Sequence, residues 1–182
     1  MRTLLPALVA LALAAPAAPA AAQSVLVGSS MGFSLYSPSN SSRSLKVIGL
    51  PGNSAGLQPG LRLGVTTPGG PEVYLDAGLV SESYGGETQS SLVTSMNLLY
   101  SFDVHPVVQP YVTAGAGLIH VSDGYQGSTS ALLGGGLGVR EKVSQGHAAF
   151  RQEVRLDYIT QSDDIRKGTL FGVRVGFDFW IN

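Results

Sequence analysis

From Leu170 to Ile181 the chain alternates without a break. Phe171, Val173, Val175, Phe177, Phe179 and Ile181 fall on one side, and Leu170, Gly172, Arg174, Gly176, Asp178 and Trp180 fall on the other. A period of two marks a β-strand, here with one apolar face and one mixed face that carries two charges. So long an apolar stripe restricts the fold. It needs either lipid or a second apolar layer against it, and the rest of the chain favours lipid.

The other end of the chain points to export. Met1-Arg2 supplies one positive charge, Leu4 to Ala15 an apolar run, and Ala20-Ala21-Ala22 a small-residue cleavage site ahead of Gln23. This pattern predicts a secretory signal peptide over residues 1–22, removed on export, and one mature domain over 23–182. The apolar run is too short for a spanning helix, and Pro16 and Pro19 interrupt the segment after it. The chain contains no cysteine, which excludes lipoprotein processing, disulfides and thiolate zinc sites. Charged residues make up only 13% of the chain, while glycines number 24. Soluble domains carry about 25% charged residues. An exported, charge-poor, glycine-rich chain without further long apolar runs matches a transmembrane β-barrel, in which the lipid-facing signal is spread over alternating strands. The net charge of −1 gives no reason to expect nucleic acid as a partner.

Strands can be placed by working back from the C-terminus. The last covers Gly168 to Ile181, after a polar loop from Gln161 to Lys167. In Ala148–Tyr158, Ala148, Phe150, Gln152, Val154, Leu156 and Tyr158 share one face; Ala149, Arg151, Glu153, Arg155 and Asp157 share the other. Four charges in alternation cannot face hydrocarbon, so that side must be wet or paired. Further strands are expected at Ser130–Val143, Gln109–Val121, Ser91–Phe102, Glu72–Ser83, Gly56–Thr66 and Ser24–Tyr36. Leu45–Leu50 is also extended, but Pro51-Gly52-Asn53 separates it from Gly56. Bacterial single-chain barrels have an even number of strands with both ends on the periplasmic side. Leu45–Leu50 is therefore assigned to an outer extension of the second strand, for a total of eight. Connections after odd strands are expected to be longer or more polar than those after even strands. Tyr36, Tyr84, Tyr125 and Tyr158 fall at outer strand ends or loops; Tyr100, Phe102, Tyr111, Phe150, Phe179 and Trp180 fall at inner ends. This predicts two aromatic girdles, with ring bodies in hydrocarbon and polar tips in water.

Several stretches resemble a known family. These are Pro110-Tyr111-Val112-Thr113-Ala114-Gly115-Ala116-Gly117, Gly134-Gly135-Gly136-Leu137-Gly138-Val139-Arg140, Arg151-Gln152-Glu153-Val154-Arg155-Leu156-Asp157-Tyr158 and Gly176-Phe177-Asp178-Phe179-Trp180. In order and spacing they are similar to the small bacterial outer-membrane β-barrels, the OmpA-like and OmpX-like eight-stranded domains, over essentially the whole mature chain. The resemblance implies a bacterial outer-membrane location, insertion by the barrel-assembly machinery and no cofactor. It does not imply one activity. The family's insertion signal usually ends in an aromatic residue, whereas this chain ends Trp180-Ile181-Asn182. The alternating frame is kept if Ile181 takes the terminal place. No peptidoglycan-binding domain is expected after the barrel.

The main constellation is a set of inward charges: Arg62, Asp76, Arg140, Arg151, Glu153, Arg155, Asp157, Arg174 and Asp178. Eight strands enclose an interior just wide enough for side chains to fill, and ions placed there must pair. The expectation is a structural plug; the alternative is a narrow or gated pore. His120 and Ser122 form a His-x-Ser pair on one strand face near the outer rim. Lipid A deacylases of similar size use Ser, His and an acid, and nucleophilic catalysis needs all three within reach. Here Asp123 falls on the other face, and the seventh strand, where the family carries its motif, reads Asp157-Tyr158-Ile159-Thr160 without histidine. His120 and Ser122 are weak candidates only. His105 and His147 have no neighbours at metal-ligand spacing, and no helix follows Gly134-Gly135-Gly136 to make a phosphate loop.

The sequence therefore predicts an all-β, eight-stranded, antiparallel up-and-down transmembrane barrel, non-enzymatic, with no cofactor and no metal. Its expected role is structural or surface-interacting. Lipid A modification and a soluble exported β-sandwich are the remoter alternatives. Outer-membrane lipid and lipopolysaccharide are the expected partners, joined by the assembly machinery during insertion, and a monomer is expected.

Overall fold

The computed structural model describes residues 24–39, 46–47, 58–67, 70–84, 87–122, 127–143, 147–162 and 167–181. The expected leader over 1–22, Asp123, Tyr125 and the side chains of Tyr36 and Tyr84 lie outside the described residues. The strands are β1 (Ser24–Pro38), β2 (Lys46–Val47), β3 (Gln58–Thr66), β4 (Glu72–Tyr84), β5 (Glu87–Ser101), β6 (Val108–Ser122), β7 (Gly127–Val143), β8 (Ala148–Ile159) and β9 (Gly168–Ile181). Each long strand pairs antiparallel with the next, and β1 pairs with β9, so the sheet closes on itself with eight spanning strands.

Closure abolishes the exposed edges that an open sheet of this hydrophobicity would present. The register defines the barrel's shape. Gly28 pairs with Arg62, Arg62 with Asp76, Asp76 with Ser95 and Ser95 with Gly117. Gly117 pairs with Leu132, Leu132 with Ile159, Ile159 with Gly168, and Gly168 with Pro38. One circuit thus returns to β1 from Gly28 to Pro38, a shear of ten residues. For eight strands this means a tilt of about 40° and a backbone radius of about 8 Å.

Lys46–Val47 pairs with Tyr36 and Leu35 of β1. Those residues already hold Leu170 and Phe171 of β9 on their other side, so β2 prolongs the β1 edge that β3 occupies. One expectation about connections does not hold throughout. β4 and β5 stay paired up to Tyr84 and Glu87, leaving two residues between them. The connection on the periplasmic side between Ser101 and Val108 is longer. Both residues between β4 and β5 are glycines, the type that two-residue hairpins call for.

Outside, the alternating apolar residues are exposed along every spanning strand, among them Leu61, Leu63, Leu79, Met96, Leu98, Leu133, Leu137, Leu156 and Phe177. Inside, two apolar clusters lie at different depths. Leu26, Tyr74, Leu99 and Tyr111, with Trp180 against them, sit towards the end that carries the start of β1 and the end of β9. Ile119, Leu132, Ile159 and Leu170, with Val93 and Val121, sit towards the opposite, outer end. By register, Arg62, Glu153, Arg155 and Asp157 lie between them.

Candidate functional site

The lumen is the place where this chain concentrates chemistry. Its inward positions bring together five arginines, Arg62, Arg140, Arg151, Arg155 and Arg174. Five carboxylates face them: Glu72, Asp76, Glu153, Asp157 and Asp178. The equal numbers leave no net charge within this set.

Strand alternation puts the groups inside; shear decides who meets whom. Arg62 and Asp76 are direct cross-strand partners, joined by two parallel bonds, Nε to Oδ1 at 2.8 Å and Nη2 to Oδ2 at 3.0 Å. This forked geometry is the strong form of a carboxylate–guanidinium contact. The Arg62 guanidinium also lies 3.6 Å over the Tyr74 ring, a cation–π contact in a dry site. Its outer nitrogens come to 3.9 Å from Glu153 Oε2 and from Asp178 Oδ2.

Asp178 is the hub. Its Oδ2 accepts from Arg140 Nε at 3.0 Å, lies 2.9 Å from Arg140 Nη2 and is 3.3 Å from Arg151 Nε. Arg140 reaches Glu72 through Nη1 at 2.6 Å. Glu153 Oε2 accepts from Arg151 Nη1 at 3.2 Å and from the Tyr111 hydroxyl at 3.0 Å. Arg155 Nε bridges both oxygens of Asp157, at 2.7 and 2.9 Å. Arg62, Arg140, Arg151, Glu153, Arg155, Asp157 and Asp178 are each 0–2% exposed. Arg174 differs. Its side chain is 17% exposed, and among the described residues its one ion pair is Nη1 to Asp76 Oδ2 at 3.5 Å. Beside it lies a cavity of about 30 Å³ bordered by Ser30, Gly32, Gly60, Asp76 and Ser95, polar enough and large enough for a water.

All nine charged residues singled out from the sequence face the lumen. Glu72 was missed, although it is in phase with Tyr74 and Asp76 on the same strand. Two girdle assignments are corrected. Tyr111 points inward and is buried, because its cross-strand partner is Gly138 and any Cβ there would overlap the phenol ring. Trp180 also points inward. Its Nε1 donates to Glu72 Oε1 at 3.3 Å, and Arg140 lies 5.1 Å over its ring. In both cases strand parity outweighs position near a strand end. Tyr100, Phe102, Tyr158 and Phe179 are exposed; Phe150 lies against Phe177 on the same outer face, with ring centroids 5.2 Å apart.

His120 is exposed on the outer face, with Nδ1 2.8 Å from Thr129 Oγ1 on β7. Among the described residues no carboxylate is hydrogen-bonded to it. His105 Nδ1 accepts from the backbone N–H of Val107 and Val108, both at 3.2 Å, which shapes the turn before β6. No cluster of metal-ligating side chains occurs among the described residues. Gly134-Gly135-Gly136 runs inside β7.

A closed antiparallel barrel with a hydrocarbon-like exterior and an ionic interior is an integral membrane β-barrel. The chain belongs to the outer membrane protein beta-barrel domain family, whose model matches residues 5–179, and it is located in the bacterial outer membrane. Its fold is similar to that of Neisserial surface protein A, at 18% identity and TM-score 0.69, covering 87% of this chain and 99% of that one. A major outer membrane protein from Thermus thermophilus is similar at 16% identity and TM-score 0.54, with 88% and 100% covered. OprG from Pseudomonas aeruginosa is similar at 18% identity and TM-score 0.54, with 89% and 97% covered. At these identities the likeness concerns the fold. No curated protein matches the sequence.

Proposed function

We propose that this barrel is a non-catalytic, non-conducting outer-membrane protein that supports the envelope and presents its outer loops to the surroundings. The observation that carries this reading is the filled lumen. Five charged side chains at 0–2% exposure, Arg62, Arg140, Arg151, Glu153 and Asp178, are tied into one network, Arg155 and Asp157 form a separate buried pair, and an apolar cluster of Ile119, Leu132, Ile159 and Leu170 closes the outer end above them. Separating these paired ions to open a path costs several kcal/mol per charge, about 3–5 when one partner is lost. Among the described residues no acid pairs with the exposed His120 that bonds Thr129, whereas a nucleophilic triad needs one. On this reading the partners are membrane lipid, lipopolysaccharide at the outer rim and, during insertion, the barrel-assembly machinery.

The test is single-channel recording in planar bilayers, with insertion checked by heat-modifiable gel migration. The expected trace stays at baseline. Discrete conductance steps that change size in Arg151→Ala would instead establish a pore. Loss of acyl chains from lipid A, abolished in His120→Ala, would establish an enzyme.

A further inference from the structure

The seam between β3 and β4 is the shortest between spanning strands. Its last pair towards the outer end is Gly60 with Gly78. Beyond that pair, among the described residues, β3 runs on to Gln58 beside β1 alone, and β4 runs on to Tyr84 beside β5 alone. Pro59, the next residue of β3, has no N–H with which to extend the ladder. The wall is also thin here, because Gly176, Ser30, Gly60 and Gly78 form one inward row across β9, β1, β3 and β4.

A cavity lies on each side of that row. The one on the membrane face is apolar, measures about 700 Å³ and is bordered by Met31, Leu61, Leu79, Leu92, Val175 and Phe177. Small-molecule sites span about 300–1,000 Å³. The one in the lumen is the polar space of about 30 Å³ beside Asp76 and Arg174. Ser30, Gly60, Ala77 and Gly78 border both, so the two adjoin where the ladder ends. Arg174 starts on β9, passes the Cα of Gly32 on β1 and ends at Asp76 on β4. Its guanidinium therefore lies behind the β3–β4 seam. Asp76 gives both oxygens to Arg62 in short bonds. Arg174 is the one arginine of the lumen set that donates no hydrogen bond among the described residues.

We infer that this stretch of wall binds a single-chain fatty acid. The alkyl tail lies along the membrane-face cavity, and the carboxylate reaches Arg174 through the unpaired stretch between Pro59 and Leu79. The apolar lining suits the tail. A guanidinium with free donors offers a carboxylate two parallel bonds, and the low dielectric around it strengthens them. The luminal space has room for about one water-sized group. One carboxylate oxygen therefore enters it, and the rest of the head stays between the two cavities. A phosphodiester head with two chains is too large for that space, which selects one chain with a planar acid. The ion network and the outer apolar cluster stay as they are, so binding requires no conducting lumen.

The probe is palmitic acid with a diazirine on its tail, added to the barrel refolded in vesicles of phosphatidylethanolamine and phosphatidylglycerol. Folding is checked by heat-modifiable migration, and adducts formed on illumination are mapped by peptide mass spectrometry. Label is expected on Leu61 and Leu79 in excess over the equally lipid-exposed Leu98 and Leu137. Palmitate is expected to compete it away and hexadecanol, which has the tail without the charge, is not. Arg174→Gln is expected to lower the excess about tenfold, the scale of a lost charge-assisted contact. Ala77→Trp, whose side chain fills the membrane-face cavity by strand parity and leaves Arg174 in place, is expected to abolish it. Label spread evenly over the four leucines would mean that bulk lipid alone covers the wall, and would overturn the inference. Equal competition by hexadecanol, which needs no variant, would overturn it too, as would an excess unchanged in Arg174→Gln.

Discussion

The two walls of this barrel solve the same packing problem in opposite ways. On β8 the inward positions are Ala149, Arg151, Glu153, Arg155, Asp157 and Ile159, all buried and mostly long and charged. On β1 and β3 they include Gly28, Ser30, Gly32, Gly60 and Gly64 around Arg62. Neither wall makes sense alone. β8 has more side chain than its share of the lumen can hold, and β1 leaves space that a barrel of about 8 Å radius cannot leave empty. Together they are complementary. Asp178, on β9 beside the dense wall, has its Oδ1 2.6 Å from where a Cβ on Gly28 of the thin wall would sit. Glycine on the thin wall is the counterpart of arginine and aspartate on the dense side.

The largest effect should come from the hub. Asp178→Ala removes the carboxylate that holds Arg140 and Arg151 and faces Arg62, leaving buried positive charge without its partner. The expected loss is about 3–5 kcal/mol, read as the urea midpoint of barrel refolded into lipid vesicles, or outright failure to insert. Asp178→Asn, which keeps the shape but not the charge, should lose stability too. A midpoint unchanged in both variants would show that the dense wall holds itself together by packing and not by ions.

The complementarity itself is broken next. Gly28→Ala adds one methyl that would meet Asp178 Oδ1 at 2.6 Å and the Phe177 carbonyl oxygen at 2.9 Å. If the thin wall is shaped to the dense one, this overpacking costs about 1–3 kcal/mol in the same unfolding measurement. If the thin wall is merely loose, alanine is tolerated or stabilises the strand, since glycine gives up more backbone freedom on folding.

Much of this arrangement was legible because alternation is a local property. Each inward charge named from the sequence could be found from its own strand by parity. Tyr111 and Trp180 were assigned to girdles because they lie near strand ends, yet Tyr111 is in phase with Thr113, and Trp180 with Asp178. Parity already placed both on the inner face. Glu72 was recoverable by the same rule from Tyr74. What local reading could not reach is the pairing. Arg140 on β7 meets Glu72 on β4 and Asp178 on β9, and Tyr111 on β6 meets Glu153 on β8. These contacts cross the lumen, so they depend on a shear that accumulates around all eight strands. The two-residue span between β4 and β5 escaped for a related reason, because hairpin length depends on where the paired ladder stops.

The smallest effect belongs to Arg174, and it tests whether charge alone makes a lumen residue important. Arg174 carries the same guanidinium as Arg151 and also sits in the lumen. It stands beside the small cavity on the glycine-rich side, partly exposed, at 3.5 Å from Asp76. Asp76 keeps its two short bonds to Arg62 without it. Arg174→Ala therefore strands no buried ion, and its cost should match that of an exposed pair, about 1 kcal/mol or less. Arg151→Ala, measured alongside, should cost several times more, because it takes a donor from Glu153 and from the hub at once. If the two variants lose equal stability, the lumen acts as one uniform electrostatic body, and the contrast between dense and thin walls has no energetic meaning.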